Sequence, residues 1–130
     1  MKKNILATLA AAVVLLFSTS AVADSVLHIW KCTLHDGMTG ANAVEASAAW
    51  LAAAKKVPGG EELEVYVDFP IAANAGDGRF NFVLAAADEA TWGAWYGAEA
   101  ASSGMADANA AWSEVASCSS SSMWFSVEVE

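Results

Sequence analysis

His28 and His35 are the only imidazoles in the chain, and Cys32 and Cys118 the only sulfur nucleophiles. The two histidines stand seven positions apart. On one continuous strand an odd separation sends side chains to opposite faces, so they cannot hold a metal ion together, and no metal site is expected. Asp68 and Glu128 fall on one face of the strands that carry them. Acid–base work would need them buried with raised pKa values. In a chain with 15 acidic and 6 basic residues they read instead as solvated. No serine occupies a GxSxG elbow. There is no Walker loop, dinucleotide fingerprint or calcium loop, and Gly76-Asp77-Gly78 reads as a turn. No catalytic residue and no cofactor is assigned on these grounds.

Cys32 and Cys118 lie too far apart in sequence for a CxxC redox pair or a zinc knuckle. Two cysteines in an oxidising compartment most simply form one structural disulfide. The remaining chemistry is aromatic. Trp92 and Trp95 share a helix face at i, i+3, and Trp92 and Tyr96 at i, i+4. Packing against a sheet is the simplest reading of these rings, as of Trp50 and Trp112.

A second aromatic set comes from the strands. Alternation groups His28, Trp30, Tyr66, Asp68, Asn81 and Trp124 on one sheet face. The other face, with Leu27, Ile29, Val65, Phe82, Leu84 and Phe125, is expected to carry the helices. A solvated face does not normally gather so many aromatics. Such a patch suits a subunit interface or a ligand cavity, so those six residues are the candidate binding or interface set.

The elements that must position these residues follow from periodicity and turn chemistry. Residues 25–34 read as a strand closed by Asp36-Gly37. Residues 42–57 read as a helix, opened by Asn42 with Glu45 three positions on and stopped by Pro58-Gly59-Gly60. Residues 62–69 and 79–86 alternate as half-buried strands. Asp88 caps a helix running to about residue 100, and Ser102-Ser103-Gly104 breaks it. A further helical piece is expected over 107–116, a serine-rich loop over 117–122 and a last strand over 123–129.

The order β-α-β-β-α-β is that of the ferredoxin-like split βαβ sandwich, an α+β fold. Right-handed crossovers give an antiparallel sheet in the order 4-1-3-2. The end of the first strand then adjoins the start of the last. Cys32 lies near the one and Cys118 just before the other, so topology and cysteine positions agree.

The chain opens with Lys2 and Lys3, an apolar run over 5–17, and Ala21-Val22-Ala23. This is the layout of a secretory signal peptide over 1–23, with cleavage expected before Asp24. The run falls short of the ~20 residues that span a bilayer. One domain over 24–130 is expected, periplasmic or secreted, with no membrane attachment after cleavage. The formal charge of −9 becomes more negative once Lys2 and Lys3 are removed. Such a surface does not seek phosphate backbones or anionic lipid, so nucleic acid is not an expected partner.

The strand Arg79-Phe80-Asn81-Phe82-Val83-Leu84, followed by Asp88 and the helix segment Trp92-Gly93-Ala94-Trp95-Tyr96, resembles the dimeric α+β-barrel superfamily. In that group two ferredoxin-like subunits pack sheet against sheet. The resemblance is one of pattern and extends over the whole domain. It implies a homodimer closed into a barrel. Some members are cofactor-independent monooxygenases and some degrade haem, using small sets of Asn, Trp and His. Asn81 and Trp92 loosely match two such roles, whereas both histidines lie on or just past the first strand. The functional expectation is an exported binding or interaction module for a small apolar or aromatic ligand. The alternatives are an enzyme of the cofactor-independent monooxygenase kind and a structural protein without ligand.

Overall fold

Cys32 sets the geometry of the first strand. In the computed structural model, which describes residues 25–71, 78–127 and 129, it is buried against Phe80 and Ala116. Side chains alternate along a strand, so the burial of Cys32 carries back to Trp30, His28 and Val26. The leader over 1–23, most of the glycine turn around Asp77, and Glu128 lie outside the described residues.

Four strands and three helices follow in the order β1 (Ser25–Leu34), α1 (Gly40–Ala54), β2 (Glu64–Asp68), β3 (Arg79–Ala86), α2 (Glu89–Glu99), α3 (Ser103–Ser113) and β4 (Ala116–Ser126). The sheet runs β2-β3-β1-β4, every pair antiparallel. That is the expected 4-1-3-2 order read from the other edge. No helix among the described residues is long and apolar enough to cross a membrane.

The register decides which side chains meet. His28, Trp30 and Cys32 of β1 stand opposite Leu84, Phe82 and Phe80 of β3. Val65 and Val67 of β2 continue the same rows. These residues form the helix-facing core with Trp50, Ala54, Trp95 and Met105. The expectation that His28 and Trp30 point away from the helices is therefore corrected, and Leu27 and Ile29 take that place. The reason is local. β1 is a central strand with apolar residues at both parities, so hydropathy alone does not choose its inner face.

On β4, Cys118 pairs with Cys32, their sulfurs 2.02 Å apart. The register shifts between Lys31 and Cys32, a bulge that lets the strand take in Ser119. The serine run expected as a loop is part of this edge strand. Serine has little strand preference of its own, and the ladder to β1 overrides it.

Each helix begins on a side-chain cap. The N–H of Asn42 donates to the Thr39 hydroxyl and the N–H of Thr39 donates to Asn42 Oδ1, at 3.4 and 2.9 Å. Asn42 is thus the third residue of a capping box rather than the cap, and α1 starts earlier than its sequence indicated. Asp88 accepts from Thr91 N–H at 2.7 Å, which holds its carboxyl below the usual range. Ser102 accepts from Met105 N–H at 3.2 Å, so the serines read as a breaker in fact open α3.

After α1 the chain turns through Gly59, at φ +85°, and packs Gly60 beneath Trp95. A Cβ on Gly60 would collide with the carbonyl oxygen of Ala54 and come within 3.0 Å of Trp95 Cδ1. One added at Gly93, inside α2, would meet nothing. Gly60→Ala is expected to cost about 3 kcal/mol or more, whereas Gly93→Ala should gain roughly 0.5–1 kcal/mol. Urea denaturation of both variants checks this. Equal, small effects would show that the α1–β2 turn relaxes freely.

Candidate functional site

The three helices each bring a tryptophan to the core. Trp50 on α1 and Trp95 on α2 are 7% and 2% exposed, and Trp112 on α3 is half-buried. α1 packs with a stripe of Ala43, Ser47, Trp50 and Ala54. Ser47 is accommodated there because its hydroxyl donates to Ala43 O at 2.7 Å. Small residues on this stripe let Trp50 reach the sheet.

The aromatic rings close on themselves. His28 stacks on Trp30 at 3.6 Å, and Trp30 meets Phe82 at 5.7 Å. Phe82 meets Trp50 at 5.1 Å, and Trp50 meets Trp95 at 5.7 Å. Tyr96 bridges Trp95 at 6.4 Å and Trp92 at 4.7 Å, and Trp92 returns to His28 at 5.9 Å. Trp112 joins from the other side, 4.9 Å from Phe82.

Against one side of this circuit lies a half-open cavity of about 240 Å³. Trp30, Trp50, Phe82, Trp95 and Trp112 form its walls, with Cys118 beside them. Tyr96, Glu99 and Asn109 line it where the protein meets solvent. Trp50 Nε1 donates to Asn109 Oδ1 at 2.7 Å, tying α1 to α3. The cavity holds no free thiol, because Cys118 is locked in the disulfide. No group of acids, histidines and cysteines among the described residues could hold a metal ion. The site is equipped to bind through apolar and π surface.

The strand-derived candidates divide between two places. Trp30 lines the cavity, and His28 supports it from behind without lining it. Tyr66, Asp68, Asn81 and Trp124 lie on the face away from the helices. Tyr66 is opposite Val83 and Asp68 opposite Asn81. Trp124 is opposite Leu27 and 60% exposed. Tyr66 O–H donates to the Glu64 carboxylate, which pushes the phenol pKa up.

A larger depression of about 670 Å³ reaches Lys31, Asp68, Arg79 and Asn81 at the end of the sheet. Of those four, only Asn81 is even half-buried. A ligand there would stay hydrated, so the smaller, drier cavity is the stronger site. Periodicity assigned Trp50, Trp95 and Trp112 to packing and passed over Asn109 and Glu99. A tryptophan on every helix was the available signal. What it lacked was the rotation of each helix.

No family model matches the sequence, and no curated protein is similar to it in sequence. Among solved structures the fold is similar to SnoaB, a cofactor-independent oxygenase from Streptomyces nogalater. The two superpose with a TM-score of 0.55 at 14% identity, covering 82% of this chain and 97% of that one. The likeness is one of fold.

Three buried nitrogens have no hydrogen-bond partner among the described residues: His28 Nδ1, Trp92 Nε1 and Trp95 Nε1. Burial lowers the His28 pKa below its ordinary value, so the ring is held neutral. The unfolded chain then binds the extra proton first. Stability from neutral His28 is fully present above the ordinary histidine pKa of about 6.5 and is lost as pH falls through it towards the folded value. Urea midpoints from pH 8 to 5 should fall more steeply for the native protein than for His28→Leu. Parallel curves would place His28 in contact with water.

Proposed function

We propose that the protein is an exported small-molecule-binding module whose ligand occupies the aromatic cavity between sheet and helices. One observation carries this reading: a half-open apolar pocket walled by Trp30, Trp50, Phe82, Trp95 and Trp112 that the protein's own side chains leave unfilled. A cavity of roughly 150 Å³ lined by apolar side chains takes up benzene, so 240 Å³ accommodates a somewhat larger molecule. Export is supported by the leader pattern over 1–23 and by the Cys32–Cys118 disulfide.

A homodimer through the open sheet face is part of the same proposal. Leu27, Ile29, Tyr66, Val83 and Trp124 give that face an apolar centre in a sheet with helices on one side only. Pairing sheet against sheet would remove it from water.

The likeness to SnoaB favours a second reading, a cofactor-independent oxygenase. An enzyme of that kind needs a substrate that itself gives electrons to oxygen, and a group to take its proton. The bases at hand are the Glu99 carboxylate on the cavity lining and neutral His28, one ring removed from it.

Native mass spectrometry of protein recovered outside the cytoplasm tests the module, the export and the dimer together. The expected species is a dimer of chains beginning at Asp24, each carrying a small adduct that is lost on denaturation. A ligand restored at about 100 times its Kd should add about 2.7 kcal/mol, or several degrees in Tm. Trp112→Leu should abolish that gain. Intact Met1, a monomer, or an adduct-free protein that no small molecule stabilises would remove export, dimer or binding respectively.

A further inference from the structure

The cavity walls are set at steep angles to one another. Trp30 and Phe82 cross at 61°, Phe82 and Trp50 at 83°, Trp50 and Trp95 at 62°, and Phe82 and Trp112 at 52°. Parallel rings would form a slot for a flat molecule. Crossed rings form a box, which suits a globular group. Among the described residues Glu99 is the only charged one that lines this box, and no lysine, arginine or histidine does. The surrounding chain is strongly acidic, with a formal charge of −9. Its field draws cations and repels anions.

Taking the cavity as a ligand site, as proposed above, we infer that it selects a cation, specifically a methylated ammonium group held against the ring faces with Glu99 at the entrance. The positive charge interacts with the π faces of tryptophan, tyrosine and phenylalanine, most strongly when water is excluded. Methylation follows from where the acceptors stand. A primary ammonium brings three N–H donors, and each must find an acceptor when buried. The side-chain acceptors, on Tyr96, Glu99 and Asn109, all stand where the cavity meets solvent, and the inner walls of Trp30, Trp50, Phe82, Trp95 and Trp112 offer none. A quaternary nitrogen has no N–H to satisfy, and its methyl groups pack against the rings.

Choline and 3,3-dimethylbutan-1-ol have the same shape and differ in charge, so the pair isolates the inference. Calorimetric titration of the purified protein should show choline binding at least about tenfold tighter than the neutral alcohol, the factor expected of a desolvated cation–π contact. Glu99→Gln should weaken choline several-fold and leave the alcohol unchanged. Trp112→Leu, which removes one wall, should weaken both. Equal affinity for choline and the alcohol would overturn the cation inference and leave the cavity standing as a ligand site. So would binding of benzyl alcohol with no binding of choline. Choline binding that survives both substitutions would place it elsewhere on the acidic surface and overturn the inference as well. If none of the three probes binds, the cation inference is overturned. The binding-module reading falls with it only if the protein also lacks the native adduct and no small molecule stabilises it.

Discussion

Trp30 stands opposite Phe82 across the β1–β3 ladder, on the face that carries the helices. The rest of the site depends on that pairing. A strand slipped by one residue presents its other set of side chains. In β1 that would turn Leu27, Ile29 and Lys31 inward, opening the ring circuit and leaving a charged ammonium under the helices. Burial of Cys32 and its bond to Cys118 pin the register at one end of the strand. The row of Val26, His28 and Trp30 opposite Ala86, Leu84 and Phe82 holds it along the rest.

The helices complement the sheet by contrast in size. On α1 the buried stripe sets small residues against one large ring: Ala43 and Ala54 are fully buried either side of Trp50, with Ser47 between. The alanines bring the backbone close, and the tryptophans extend from it as rigid plates. Plates at steep angles do not fill space as flexible leucines do. The cavity is thus a consequence of the residues chosen for the core. A ligand in it completes the packing that the side chains leave unfinished.

Much of this was written plainly in the sequence. Residues 25–34 and 79–86 carry strand signals at both ends, and their bounds agree with the structure. Asp88 marks α2, and the element order gives the sheet topology. Signals failed where two local preferences competed. Thr39 and Asn42 both make good caps, and only the three-dimensional box chooses between them. The serines before Met123 have no strand preference, and only the partner strand recruits them. Both faces of β1 are apolar, so its inner side was undetermined by hydropathy. Cys32 could have settled it, since a cysteine bridged within the core fixes the parity of its whole strand. The cavity itself was beyond reach, because ring angles depend on helix rotation and no spacing rule encodes them.

The bridge also governs how the molecule bears force. Ser25 of β1 pairs with Ser126 of β4, so the two ends of the described domain lie side by side. Tension applied through the flanking segments would part these strands one pair at a time, like a zip. The parting stops at Cys32–Cys118. Beyond that point the pull passes from strand to strand through sulfur, bypassing the intervening chain. The helices, β2, β3 and most of the aromatic walls lie in the bypassed part and carry no load. A domain tethered by its ends could be stretched at its margin while most of its interior stayed shut.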